Sequence, residues 1–497
     1  MIPPEQPPTQ PAPAARRSRG LGAAMRRHPH AFVASAAATA FVLLGAGAVS
    51  AGAAVGTAQV PDARPAAITT EAPAPAASPS PSPSPTRAPR PVPAVQPAAS
   101  KLRNCSIAAL ATDPRLASFQ GYVLNAATGE VLFDRGGDTP ERTASVMKVI
   151  TSAAALTALG PDHRISTRVV TGAEPGTVVL VGGGDPTLSR LTSGTSVYPG
   201  APRISDLAAQ VRSAWAADPA TAGTPITRIV LDTSLFSGPV WHPSWARTEL
   251  SIGYSSEITA LQVDADRADP GAIVSPRSEA PVARAGAAFA DALGVDAALV
   301  EGVAPPDAAV LGEVQSQPVA SLIKTALTIS DNTLAETLAR LVAIKVGAGN
   351  TQDALAAGIP KALEPLGLDT STMLIVDGQG LSPDNRVPPA LLAGLMAKVN
   401  AREGALGAIY DGLPVAGRTG TLTSRFTGDN AVARGNVVAK TGWIDTGYTL
   451  SGIISAVDGT PLTFAFYAIG NVRDNAKAAL DTVTTGAYRC GNNLSNN

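Results

Sequence analysis

The alternation of apolar and polar positions divides the chain into short elements before any chemistry is considered. Gly121-Tyr122-Val123-Leu124-Asn125 and Glu130-Val131-Leu132-Phe133-Asp134 flank the turn residues Ala126-Ala127-Thr128-Gly129, a spacing that predicts a β-hairpin. Residues 145–159 are apolar at helical density, and Gly160-Pro161 closes the run where a helix cannot continue. Strand-like runs follow near the C-terminus at 436–440, 448–456 and 462–469, and then an amphipathic helix over 474–488. Strands with helices at both ends of the sequence predict an α+β (mixed) domain, an antiparallel sheet packed with helices. Residues 165–310 mix strand runs such as 228–231 with the helix-like 282–293. They are expected to form one or more inserted domains of α/β-mixed structure, with 101–164 and 311–497 building the main domain.

The N-terminal pattern is different. Arg16, Arg17, Arg19, Arg26 and Arg27 lie in a basic, Pro-rich segment (1–30), and no charge appears in residues 31–55. That stretch exceeds the roughly 20 residues a helix needs to span a bilayer. With the arginines on one side, residues 1–30 are expected in the cytoplasm and everything after Val55 outside, a single-pass membrane anchor. Ala51-Gly52-Ala53 also has the form of a signal cleavage site, so secretion after cleavage stays open. Residues 56–100 read as a Pro/Ser/Ala-rich linker, with Ser and Pro alternating strictly from Ser78 to Pro85. Such a composition favours extended polyproline II over a packed core.

Composition narrows the chemistry. The chain has 497 residues, 38 Lys+Arg against 39 Asp+Glu and a net charge of −1, so no basic surplus points to nucleic acid. Its two cysteines, Cys105 and Cys490, stand near the two ends of the globular region. In an oxidising compartment they are expected to form a disulfide, the alternative being two unrelated buried thiols. Of the four histidines, only His163 and His242 follow the apolar segment, too few for a zinc peptidase cluster. No metal and no cofactor are expected.

Three short motifs carry the candidate chemistry. In Ser145-Val146-Met147-Lys148, positions i and i+3 share a helix face, which puts an amine within reach of a hydroxyl. A partly desolvated neutral amine can take the hydroxyl proton and make Ser145 a nucleophile. The pattern recurs at Ser321-Leu322-Ile323-Lys324, which reads as an ordinary helix surface just ahead of Ser330. Ser330-Asp331-Asn332 offers a proton-relaying hydroxyl and an amide-binding carboxamide; alone it reads equally well as a helix cap. Lys440-Thr441-Gly442, on an edge strand, offers a cation and a hydroxyl for a terminal carboxylate. Its glycine leaves room for a peptide laid alongside as an added strand. Each motif alone is weak, but the ordered set belongs to penicillin-binding proteins and class A β-lactamases.

On these residues the chain resembles the D-alanyl-D-alanine carboxypeptidase/endopeptidase family of low-molecular-mass penicillin-binding proteins, in the branch with domains inserted between the first two motifs. Gly182-Gly183-Gly184-Asp185-Pro186-Thr187, Asp377-Gly378-Gln379-Gly380-Leu381-Ser382 and Ala416-Gly417-Arg418-Thr419-Gly420-Thr421-Leu422 add to the resemblance. It implies a β-lactamase/transpeptidase-like main domain and a serine carboxypeptidase acting on peptidoglycan stem peptides, with β-lactam antibiotics as covalent inhibitors. By the same analogy Ser145 forms an acyl-enzyme, Lys148 is the base and Ser330 relays protons. Asn332 binds the substrate amide, and Lys440 and Thr441 bind its carboxylate. The backbone N–H groups of Ser145 and Trp443 form the oxyanion hole. Trp443 departs from the small hydroxyl residue usual after Lys-Thr-Gly. Alternatives are a β-lactamase or D-amino-acid esterase/amidase of the same fold, and a catalytically silent wall-binding protein.

Overall fold

The computed structural model describes residues 102–496. The expected basic tail, apolar segment and Pro-rich linker lie outside them. Among the described residues no helix is long and apolar enough to cross a membrane.

The main sheet has five antiparallel strands in the order Val131–Arg135, Ser118–Asn125, Pro461–Ile469, Gly447–Ser455 and Val437–Ile444. The expected hairpin is its first pair. The central strand Pro461–Ile469 is apolar along its length because both of its faces are covered. Leu462, Phe464, Phe466 and Ala468 pack towards the terminal helix Ala476–Cys490. Ala465, Tyr467 and Ile469 pack on a layer that includes the helices Met147–Ala158, Val319–Thr328, Asn332–Lys345 and Pro389–Asn400. A two-residue side-chain period thus sorts one strand between two cores.

Two expected boundaries shift. The edge strand runs on to Ile444 instead of stopping at residue 440, because Gly442 pairs with Thr449 and Trp443 with Tyr448 across the ladder. The inserted region has its own sheet, ordered Ala298–Glu301, Arg228–Asp232, Thr177–Val181, Ser166–Thr171 and Val310–Gln315. Its last strand pairs antiparallel with Ser166–Thr171, so the chain leaves this sheet after Gln315, not at residue 310. Helices Ile204–Ala217 and Pro281–Leu293 cover it with a core that includes Val211, Trp215, Phe289 and Leu293.

Cys105 and Cys490 are joined as a disulfide with Cα atoms 5.4 Å apart, and beside it Cys105–Ser106 pairs with Leu494–Ser495. The bridge closes a loop with a sequence separation of 385. Replacing both cysteines by serine is expected to lower unfolding free energy by about 3–5 kcal/mol through lost loop closure. Denaturant unfolding of the two proteins checks this, and coincident midpoints would refute it.

Candidate active site

The site lies where the start of the Met147–Ala158 helix meets the edge strand and the Asn332–Lys345 helix. Ser145 sits in a single 3₁₀ turn, Ala144–Val146, that feeds the helix. Ala144 is held at φ 45°, a left-handed conformation that costs an alanine about 1–2 kcal/mol. Such strain collects where the surroundings dictate a functional geometry. Gly380 shows what surrounds this turn, since a Cβ there would lie 1.9 Å from the Ala144 carbonyl oxygen. Gly442 plays the same part from the strand. A Cβ on it would lie 2.2 Å from Thr449 Oγ1 and 2.9 Å from the Ser145 nitrogen. The glycine is therefore needed for packing against the nucleophile's turn, which differs from the role expected for it in strand addition.

Lys148 Nζ donates to Ser145 Oγ at 2.9 Å, Asn332 Oδ1 at 2.6 Å and the Gln379 carbonyl at 2.6 Å. Three acceptors use every proton of an ammonium. The amine is wholly buried, and burial drives its pKa down; the fields of Asp377, Asp331 and Glu336 oppose this, leaving it at about 8. At pH 7 roughly one molecule in ten then holds a neutral amine, able to receive the Ser145 proton along the same 2.9 Å path. Because the neutral form is the base, acylation is expected to accelerate as pH rises through about 8 and then level off. Stopped-flow labelling between about pH 6 and about pH 10 tests this, and a flat profile would exclude Lys148 as the titrating base.

Ser330 is also left-handed, at φ 58°. It precedes Asp331, which caps the next helix by accepting from the Leu334 N–H at 2.9 Å, so that Asn332 opens the helix facing Lys148. The cap reading of this motif is therefore seen in the structure, and it leaves Ser330 and Asn332 turned towards Lys440 and Lys148. Lys440 Nζ donates to Ser330 Oγ at 2.8 Å and to the Thr441 carbonyl at 2.7 Å. Burial, and then the nearby Lys148, hold its pKa well below the usual lysine value.

The sequence-based expectation puts the Lys440 ammonium on the substrate carboxylate; in the structure the side chain is buried, with Nζ one hydrogen bond from the cleft-lining Ser330 hydroxyl. Along the strand the Lys440 side chain turns inward, while Thr441 and Trp443, with Gly442 between them, line the cleft. The polar surface presented there is hydroxyl: Thr441 Oγ1 lies 2.8 Å from Thr421 Oγ1, and Ser330 is adjacent on the lining. Trp443 is 47% exposed and stacks obliquely on Tyr448, with centroids 6.4 Å apart. The cleft has a volume of about 780 Å³.

Several contributors were not singled out from the sequence. Glu336, one helical turn after Asn332, accepts from the N–H groups of Gly378 at 2.8 Å and Gln379 at 3.1 Å. Burial, and then Asp377, push its carboxyl well above the usual carboxylate range. Asp377 accepts from Gly380 and Ser382, each at 2.6 Å, and so closes the loop that offers the Gln379 carbonyl to Lys148. The i, i+4 spacing of Asn332 and Glu336 was the available signal. Thr421 was visible only as part of a family-like stretch. By contrast Ser321 and Lys324 are exposed on the Val319–Thr328 helix and take no part in the cleft.

The model of the D-Ala-D-Ala carboxypeptidase 3 (S13) family matches residues 103–274 and 269–487. A carboxypeptidase of Mycobacterium tuberculosis is 37% identical over 396 residues, covering 78% of this chain and 84% of its own. Carboxypeptidase DacB of Mycolicibacterium smegmatis is 36% identical over 397 residues, with shares of 78% and 84%. Penicillin binding protein 4 of Haemophilus influenzae superposes with a TM-score of 0.62 at 19% identity, over 75% of this chain and 95% of that one, and so shares its mixed fold of sheets and helices. With the serine, the lysine and the two further motifs converging on one cleft, the chain belongs to the D-Ala-D-Ala carboxypeptidase 3 (S13) family.

Proposed function

We propose that the protein is a serine D-Ala-D-Ala carboxypeptidase that trims peptidoglycan stem peptides through an acyl-enzyme on Ser145. The observation that carries this reading is the 2.9 Å contact between Ser145 Oγ and a buried amine whose pKa is lowered to about 8. Lys148 takes the hydroxyl proton while Oγ bonds to the carbonyl carbon of the penultimate D-Ala. Negative charge moves to the carbonyl oxygen, towards the Ser145 and Trp443 N–H groups. As the tetrahedral carbon collapses, its C–N bond breaks. The proton taken by Lys148 passes through Ser330, which Lys440 holds at 2.8 Å, to the departing amine, and Lys148 is neutral again. Water then adds to the ester, giving its proton to Lys148, and expulsion of Ser145 Oγ restores the enzyme. The Asn332 carboxamide binds the substrate amide, and Thr441 and Thr421 receive the terminal carboxylate. Peptide lies along the edge strand beyond Ala439, beside Thr441 and Trp443, since the Val437–Ala439 part is already paired with Pro414–Ala416.

The same chemistry severs a cross-link when the leaving amine belongs to a second stem, so endopeptidase action is a matter of what the cleft admits. β-Lactams, which carry an acyl carbon and an anion, are expected to acylate the same serine. Residues 31–55 would hold the catalytic region outside the membrane, with 56–100 as a spacer.

The test is one assay on the purified protein with muropeptide monomers, dimers and a fluorescent penicillin. Release of D-Ala with stable penicillin labelling supports the proposal, and loss of dimers adds the endopeptidase activity. Rapid penicillin turnover without D-Ala release would replace it with a β-lactamase. Absence of both reactions would leave a silent wall-binding protein.

A further inference from the structure

The middle residue of Ser330-Asp331-Asn332 makes contacts that the reaction does not explain. Asp331 Oδ1 is used by the helix cap. Its Oδ2 accepts from Arg267 Nη2 at 2.6 Å and from the Tyr198 hydroxyl at 2.8 Å, and Arg267 Nη1 donates to that same hydroxyl at 2.6 Å. All three side chains are buried. Burial works to raise the Asp331 pKa, yet Arg267 and Arg277 outweigh it and hold the carboxyl near 2. Arg267 and Tyr198 both belong to the inserted region, so this triad joins the insertion to the residue between Ser330 and Asn332.

The way Arg267 is delivered is a separate observation. Asp264, Ala265 and Asp266, immediately before it, all have positive φ (51°, 47° and 57°), and none is a glycine. Three successive left-handed residues are strained and persist only where their surroundings dictate them. Those surroundings include the glycine-rich stretch that begins at Gly182. The Ala265 N–H donates to the Pro186 carbonyl at 2.6 Å, and the Gly184 N–H to Ala260 at 2.8 Å. A Cβ on Gly182 would lie 2.4 Å from the Ala260 carbonyl oxygen.

We propose that the inserted region is a positioning element of the active site: its glycine-rich stretch and left-handed turn aim Arg267, with Tyr198, at Asp331, and so fix the Ser330 hydroxyl and Asn332 carboxamide around Lys148. Ser330 and Asn332 reach Lys440 and Lys148 at 2.8 Å and 2.6 Å. A small rotation of the turn that joins them breaks both contacts. The insertion thereby acts on the chemical step through the turn without touching the reacting atoms.

The inference rests on the acyl-enzyme reading, and the experiment separates the two. Tyr198→Phe, Arg267→Lys and a control, Phe289→Leu in the insertion core, are compared with wild type. The readouts are penicillin acylation rate, kcat and KM for a D-Ala-D-Ala peptide, and thermal midpoint. Tyr198→Phe is expected to slow acylation and kcat about 5- to 20-fold, and Arg267→Lys about 10- to 100-fold, with KM little changed. Phe289→Leu is expected to lower the midpoint while acylation stays within about twofold. Acylation within about twofold of wild type in both triad variants, or an equal loss in the control, would overturn the inference. A wild-type protein that takes no label would overturn the acyl-enzyme reading beneath it, and the inference with it.

Discussion

Ser145→Ala is expected to abolish covalent penicillin labelling and to lower peptide turnover by at least about 10⁴-fold, while Ser321→Ala labels like wild type. The chain offers two Ser-x-x-Lys patterns, so the comparison is internal to it. Both place hydroxyl and amine one helical turn apart, and spacing alone does not choose between them. Burial and company do. Lys148 is fully buried among three acceptors, whereas Lys324 is exposed on its helix and takes no part in the cleft. Removing Ser145 Oγ removes the atom that forms the ester, so no other group in the cleft restores labelling. A Ser145→Ala protein labelled to the wild-type level, read by gel fluorescence and intact mass, would place the nucleophile elsewhere.

The second large effect is that of Lys148→Met, which keeps most of the side-chain volume and removes the base. Acylation is expected to fall about 10²- to 10⁴-fold, the usual contribution of a positioned proton acceptor. The acid limb of the pH profile near 8 should vanish with it, since no amine remains to titrate in contact with Ser145. Thermal unfolding supplies the control. Met leaves Asn332 Oδ1 and the Gln379 carbonyl without their donor, so some stability is lost along with the rate. A variant that keeps the limb and loses only stability would identify Lys148 as a structural residue.

Much of the site was legible because its chemistry is local: Ser145 with Lys148 is one helical turn, and Ser330 with Asn332 one cap. The main sheet was legible for a related reason, since long apolar strands such as Pro461–Ile469 announce themselves in any order of pairing. What stayed hidden depends on which way a side chain faces, or on partners far apart in sequence. The charge of Lys440 is plain in the sequence, but its burial and its bond to Ser330, with Thr441 left nearer the surface, are not. The Arg267–Asp331 pair spans 64 residues, with two strands of the inserted sheet between them, and no periodicity records it. Its one trace in the sequence, the glycine-rich stretch beginning at Gly182, adds only to the family resemblance until the left-handed turn it supports is seen. The strand Val310–Gln315 was missed as part of the inserted sheet because it is short and a helix begins at Val319.

The bridge between Cys105 and Cys490 also decides how the folded region carries mechanical load. A pull along the chain towards the N-terminus enters at Leu102 and meets this covalent clasp before any strand of the main sheet, whose first residue is Ser118. Tension passes across the sulfur atoms into the end of the Ala476–Cys490 helix, which lies along one face of the sheet. Against a pull at Leu102, the strand Ser118–Asn125 is shielded from being peeled off its neighbour Pro461–Ile469. Reducing the bridge would turn the same tug into an unzipping force on the sheet.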